Sequence, residues 1–431
     1  MNQSKYQWIA RGLGSLGLAA IFVFAWQARP APQPVDFALP DLQVIPLPAD
    51  QTPVFESRFA SSNLKNFAHA SAITALPNGD LLTVWFAGSR EGAADVQIRG
   101  ARFDVQTGIW GEEVVLATRE GTQQGVQRFV RKLGNPVLLV TPDQRLWMFY
   151  VSVSVGGWAA SSINAVYSED MGRSWSTPRQ LVTSPFLNIS TLVRGAPVLH
   201  ADGSIGLPVY HEFLGKFGEY LHLDREGRVL SKSRISNGRF SLQPTVVPLD
   251  SQRAIALLRH SGSDRRVLAS RTDDAGRTWS VPELLEPNNP DSSLAAIATP
   301  RHGLLVALND LKEGRFRLSL YGTDAQLKAW RPLRDLDESP DEDGNRIEES
   351  RYRQIVAEHF LASSGGQARA RLDEFLSSID HRVCSNGKCS FTYDYPYVIR
   401  GADGRYHLVY SWNHSLIKHV SFNDAWLEEQ L

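Results

Sequence analysis

The sequence predicts an all-β chain, a six-bladed β-propeller with a helical hairpin inserted between its fifth and sixth blades. Three observations predict it. The stretch SEDMGRSW, Ser168 to Trp175, returns nearly intact as TDDAGRTW, Thr272 to Trp279, and each copy is followed by Ser, one further residue and Pro. With the weaker copies at Asp224 and Asp324, the aspartates from Asp170 to Asp324 step by 54, 50 and 50 residues, the length of one four-stranded blade. Six stretches, from HASAITALPNGDLLTVWF at His69 to YPYVIRGADGRYHLVYSW at Tyr395, alternate apolar and polar positions around Asn-Gly, Asp-Gly or similar turns, the mark of hairpins.

Each clean copy reads as a strand end, a tight turn and a Trp folding back. Asp170 accepts from the turn's own amides, Gly172 takes a backbone angle that other residues resist, and Ser168 ties strand to turn. Asp104, with Gly108 and Trp110, reads as a further weak copy.

Composition narrows the class. The chain has 431 residues, 42% hydrophobic and 21% charged, with a net charge of −1, so no nucleic-acid partner is expected. Eleven Trp and twelve Tyr among strand-like runs favour β structure.

Residues 1–27 carry Lys5 and Arg11 ahead of an apolar run from Gly12 to Trp26, the pattern of an export signal or a short membrane anchor. Val23-Phe24-Ala25 offers a poor cleavage site, and an uncleaved anchor is favoured. The body is therefore expected to be periplasmic or extracellular, joined to the membrane through this segment if it is uncleaved. Residues 28–50 read as a Pro-rich tether and 51–431 as the propeller. The sixth unit runs out of chain after Phe422, so Thr52 to Ala60 is the expected fourth strand of that blade, pairing the beginning of the chain with its end.

Residues 335–390 break the pattern. IEESRYRQIVAEHFL and QARARLDEFLSSI have helical spacing and flank Ser-Ser-Gly-Gly, a hairpin expected to act as a lid, with Gly365 and Gly366 as its pivot. The only two cysteines, Cys384 and Cys389, flank an Asn-Gly turn and are expected to form a disulfide. A metal set of these two with His381 lacks a fourth ligand, and neither metal nor cofactor is expected.

In a propeller of this connectivity the box turns occupy one face, while inner-strand starts and the ends of second strands share the other. The candidates on that second face are His69, Arg90, Glu91, Asp95, Asn135, Arg194, His211, Glu212, Gln243, Arg259, Asn309, Asp310, Tyr395 and His414. Charged side chains there face a wet central cleft, because the blade cores on either side are apolar.

The paired boxes resemble the Asp-box repeats of the sialidase superfamily, and the chain is similar to the sialidase-like BNR-repeat family from about Phe67 to Phe422. The resemblance implies three arginines holding a substrate carboxylate, an Asp acid/base after the first blade's second strand, and a Tyr nucleophile opening the last blade. By position these are Arg90, Arg194 and Arg259, then Asp95 with Glu91 as the alternative, then Tyr395 with Tyr393 and Tyr397 as neighbours; Glu212 is the carboxylate to activate the tyrosine. His69, Asn135, Gln243 and His414 complete the expected substrate-binding set. Two departures stand out. The first unit opens His69-Ala70-Ser71 where the family supplies an arginine, and the fifth, beginning Asn288-Asn289-Pro290-Asp291, offers none.

The function expected is an exported glycoside hydrolase of sialidase type, removing a terminal acidic sugar from a glycan or exopolysaccharide. The alternatives are a lyase or other glycosidase on uronate-containing glycans, and a non-catalytic glycan-binding propeller.

Overall fold

The structure is a computed structural model that describes residues 3–27, 35–39, 52–65, 67–184, 190–213, 215–236, 240–301, 303–339, 346–363 and 368–430. Residues 1–34 and 35–431 form separate compact units. In the first, α1 (Gln3–Gln27) is one continuous helix. Among the described residues no helix is long and apolar enough to cross a membrane; Gly12, Gly14, Ser15 and Gly17 dilute the apolar run of α1.

The second unit is dominated by six antiparallel sheets of four or five strands. Their first strands begin at Phe67, Lys132, Leu192, Ser241, Ala295 and Tyr393, and neighbouring first strands touch in that order, the last returning to the first. The second strands Leu81–Gly88, Leu146–Val153 and Tyr406–Trp412 are buried at every position, because a strand covered on both faces reads as a nearly continuous apolar run. Peripheral strands alternate instead, as in Val229–Arg234, where only one face packs. The sixth sheet is completed from the other end of the chain: Phe55–Phe59 pairs antiparallel with Leu416–Phe422, Phe55 opposite Phe422.

The box turns fold as the sequence predicts. Ser168 Oγ accepts from Gly172 N at 2.6 Å, and Asp170 accepts from Ser174 N and Oγ at 2.8 and 2.6 Å. Thr272 and Asp274 repeat the pattern on Gly276 and Thr278.

The opposite ends of the sheets are irregular in a repeated way. The first strands of the first, second, fourth and sixth sheets shift register after His69, Gly134, Leu242 and Asp394. The residue at each bulge lies in the left-handed region: Ala70 (φ 53°), Asn135 (45°), Gln243 (50°) and Tyr395 (56°). A non-glycine residue held there is strained, and a bulge re-aims its side chain. In the third sheet the first strand is split instead, Leu192–Val193 and Val198–Leu199 flanking Arg194 to Pro197.

Several elements differ from expectation. The outer strand of the fifth sheet, Trp330–Glu338, runs past residue 335. Helices α2 (Arg119–Val126) and α5 (Asp424–Gln430), too short to show a periodic stripe, are additional; Thr118 and Asn423 cap them, accepting from Gly121 N and Trp426 N. Within the expected tether, Phe37 is buried, stacked on His200 at 5.2 Å, while its amide donates to Ser251 O. One aromatic side chain and a few backbone hydrogen bonds suffice to hold Val35 to Leu39 against the sheets.

The inserted segment contains α3 (Glu349–Ser363) and α4 (Ala368–Val383). Phe360 stacks on Phe375 at 4.4 Å, Phe375 lies 6.0 Å from Trp412, and Tyr352 lies 4.7 Å from Phe391. Burial of each such side chain contributes about 1.5–3 kcal/mol, so the helices are a packed wall on the sixth sheet. The expected pivot at Gly365 and Gly366 lies outside the described residues. Cys384 and Cys389 are disulfide-bonded within a small sheet that also takes in Ile347–Glu348.

Candidate active site

The left-handed openings converge. Tyr395 follows the buried Asp394, and its ring lies 4.4 Å from that of His69 on the first sheet. Arg194 enters from the split strand of the third sheet and donates to the carbonyls of Tyr395 and Pro396 at 2.6 and 2.9 Å, its guanidinium 5.3 Å from the Tyr395 ring. Gly195 permits this approach: a Cβ there would sit 2.0 Å from Pro244 O, which no side chain allows.

Two further arginines meet the same tyrosine. Arg259 pairs with Asp291 at 2.5 Å and donates to Gln243 Oε1 at 3.3 Å. Its pKa is held above the usual value: burial opposes the charge, but Tyr395 and Asp291 outweigh it. Arg315 pairs with Asp394 at 2.8 Å, donates to Asp291 O at 2.9 Å, and stands 5.7 Å from the Tyr395 ring. The trio beside Tyr395 is therefore Arg194, Arg259 and Arg315. Arg315 comes from the fifth unit, from the link between its second and third strands, and not from that unit's opening, where the sequence offers no arginine. Arg90, expected in the trio, is exposed and lines a cleft to which none of these three arginines contributes.

Tyr210 sits under this group, receiving Asn135 Nδ2 at 3.2 Å and Gln243 Nε2 at 3.4 Å. Burial, reinforced by Glu212 and Tyr395, keeps its phenol firmly protonated. Glu212 is raised above the ordinary carboxylate range by burial, with Arg259 and Lys216 opposing. Burial carries the His69 imidazole down to about 3 despite Asp394. Asp394 is lowered in turn: burial opposes its charge, and His69 and Arg315 overcome that. His69 Nδ1 and Asp394 Oδ1 stand 3.6 Å apart, too far for a hydrogen bond.

The remaining candidates divide. His414 stacks on Phe67 at 5.2 Å and lies 5.0 Å from His69. Glu91 and Arg90, with Phe67, line a cleft of about 500 Å³ whose opposite wall is Glu374, Ser377 and Ser378 of α4. Asp95 is exposed, its carboxylate accepting from Ser89 N and Oγ at 2.9 and 3.0 Å. Asn309 donates to Tyr393 O at 2.8 Å and so pins the last opening, while Asp310 is taken up by Arg317 and Tyr321. His211 stacks on Phe217 at 4.7 Å. A larger cavity, about 1100 Å³, lies on the box face and includes Asp273, Trp279 and Gln326; none of the candidate residues line it.

Sequence reasoning passed over Tyr210, Asp291, Arg315 and Asp394. One signal was present: Asn135, Gln243 and Tyr395 each precede a proline in the opening of a first strand, and the same motif leads to Asp394.

A family model described as a BNR repeat-like domain matches residues 79–408. No curated protein matches by sequence. Among solved structures, the leech intramolecular trans-sialidase complexed with 2,7-anhydro-Neu5Ac aligns at 13% identity, covering 91% of this chain and 74% of its own, with a TM-score of 0.60. The NanB sialidase of Streptococcus pneumoniae aligns at 10%, covering 90% and 73%, with 0.58. The α-L-arabinanase of Penicillium chrysogenum, complexed with arabinobiose, aligns at 14%, covering 88% and 100%, with 0.55. At these identities the likeness is one of fold, the all-β propeller of the sialidases.

Proposed function

The chain belongs to the BNR repeat-like domain family, and from that premise we propose that it is an exported glycoside hydrolase of sialidase type, built as a six-bladed propeller, that removes a terminal acidic sugar from a glycan. The observation that carries this reading is Tyr395, held in a left-handed opening among the guanidiniums of Arg194, Arg259 and Arg315. Arg259 and Arg315 are paired to Asp291 and Asp394. Arg194 has no carboxylate partner among the described residues, only the carbonyls of Tyr395 and Pro396, and its Nε has no partner, so its charge is the one left for a substrate carboxylate.

Tyr395 attacks the anomeric carbon. A neutral phenol suits a carbon that itself bears a carboxylate, because no like charges are brought together. Glu212, which shares Arg259 and Tyr210 as neighbours with Tyr395, takes the phenolic proton; its raised pKa brings it nearer the working range of a base. Of the two carboxylates near the first sheet, Glu91 lines the cleft of about 500 Å³ while Asp95 is engaged by Ser89, and we assign proton delivery to the leaving group to Glu91. The ionised Glu91 then takes a proton from the water that displaces Tyr395 from the anomeric carbon and frees the sugar, and the phenol regains its proton from Glu212. The α3–α4 pair forms the insertion between the fifth and sixth blades, and α4 walls the cleft that receives the rest of the glycan.

The test is a panel of glycans ending in acidic sugars with a product readout. Release of the free sugar by the wild type, lost in Tyr395→Phe at unchanged melting temperature and ligand affinity, supports the assignment; wild-type rates in the variant remove Tyr395 as nucleophile. A second reading is favoured by the His69 and Tyr395 rings at 4.4 Å: a lyase on uronate glycans, in which an imidazole and a phenol pass the proton. Its product is unsaturated and absorbs in the ultraviolet, whereas a hydrolase product does not.

A further inference from the structure

Three side chains from different parts of the cleft floor bring ligand-type atoms together. His69 comes from the first sheet, Asp394 from the opening of the sixth, and His414 from the turn after the sixth sheet's second strand. One nitrogen or oxygen atom from each lies within 4.8 Å of the other two. A second, independent observation points inward. His69 and Asp394 are 4% and 0% exposed, yet His69 Nδ1, Asp394 Oδ1 and His414 Nδ1 are buried without a hydrogen-bond partner. Three such orphans in one place are costly, since each forfeits the hydrogen bonds it made to water.

Rotation cannot cure the deficit cheaply. Arg315 fixes the carboxylate by bonding Asp394 Oδ2 at 2.8 Å, leaving Oδ1 turned toward the two imidazoles. His69 is packed between the rings of Phe86 and Tyr395, and His414 against Phe67. The His69 to Asp394 gap of 3.6 Å is too wide for a direct bond and close to the separation of two ligands that each stand about 2.0–2.2 Å from one ion. The remaining edges are no longer than 4.8 Å.

We propose that His69, Asp394 and His414 form a divalent metal site of the two-histidine, one-carboxylate type, with a borderline ion such as Zn²⁺ as its occupant. Two imidazoles and one carboxylate suit that class, whereas Ca²⁺ and Mg²⁺ prefer all-oxygen shells. Arg315 then serves as the outer partner that orients the carboxylate, the usual companion of a metal-bound acid. Three protein ligands leave at least one position open for an exogenous donor. The cysteines supply no competing site, because Cys384 and Cys389 are joined to each other. The proposal is independent of the hydrolase reading.

The test uses the full chain, freed of metal with a chelator and titrated with Co²⁺ and then Zn²⁺. Expected are one equivalent of Co²⁺ with the visible bands of a four- or five-coordinate ion, displacement of those bands by Zn²⁺, and a Zn²⁺ affinity lowered by more than the roughly 10–100-fold that loss of an outer partner costs, in both His414→Ala and Asp394→Asn. Melting curves establish that the variants fold; His414, only partly buried, is the more tolerant position. Wild-type protein that gives no visible band and no stoichiometric Zn²⁺ binding overturns the proposal without recourse to any variant. So does an affinity that is the same in the wild type and in the folded variants.

Discussion

The two ends of the sheets use polar residues in opposite ways. At the box end the bonds that close each turn are short in sequence: Ser168 reaches Gly172, Asp170 reaches Ser174, and Asp274 reaches Thr278. Each acceptor is satisfied within four residues, and the turn is complete before the neighbouring sheet exists. At the opening end the bonds cross the molecule. Arg194 meets Tyr395 across 201 positions, and Ala70 N donates to Ser411 Oγ across 341. There the residues are strained in φ, and several buried atoms, among them Arg194 Nε and Asp394 Oδ1, have no partner. Left-handed residues also occur in the boxes, at Met171 and Ala275; what sets the opening end apart is the cluster of His69, Asp394 and His414 atoms buried together without a partner, the condition a ligand would relieve.

The sharpest way to test that contrast is Arg194→Lys, which keeps the charge and removes the fork. Affinity for an acidic sugar ligand is expected to fall by about 1.5–3 kcal/mol, with a neutral ligand far less affected. Titration calorimetry against both decides it, and equal affinity of wild type and variant for the acidic ligand removes Arg194 from the site.

Asp274→Ala is the counterpart at the box end. It should cost about 1–2 kcal/mol of stability through the lost turn hydrogen bonds, with kcat and KM unchanged. The pH dependence follows from sign. Burial opposes ionisation of Asp274, but the bonds from Thr278 and Thr272 win and its pKa is lowered. Its contribution is therefore present above the unfolded carboxylate pKa and is lost as pH falls through the folded one. Chemical denaturation at neutral and acid pH should show the variant's deficit shrinking in acid; a change in KM would contradict the separation of the two ends.

Glu212→Gln should give the smallest effect on stability, and one of opposite sign. Burial raises this carboxyl, against Arg259 and Lys216 and with Asp291 and Glu91 adding to the shift. A raised carboxyl favours folding below its unfolded pKa, and that advantage is lost as pH rises through the folded value. The neutral amide escapes this, so the variant should be as stable as the wild type or slightly more stable at neutral pH while losing turnover. A variant that melts well below the wild type at neutral pH would show Glu212 to be a structural ion-pair partner.

Much of the architecture was legible in the chain because its signals are local. The two boxes, the even spacing, the Asn-Gly turn between Cys384 and Cys389, and the leftover strand at Thr52 to Ala60 each need only a few neighbouring residues to be read. The closure with Leu416–Phe422 follows from a sheet one strand short. Helical spacing likewise announced α3 and α4, although not their dense packing on Trp412. Phe37 escaped notice because its pocket is formed by His200 and Tyr220, more than 160 residues away.

By itself, then, the sequence determined the repeat, the turns and which residues open each first strand, since hairpin chemistry is decided within about ten residues. Only the tertiary structure decided which side chains share the centre: Arg315 in place of Arg90, Asp394 beneath His69, Tyr210 beneath Asn135 and Gln243. Those meetings depend on how separately specified sheets twist and pack against one another, and on one-residue bulges that re-aim a side chain.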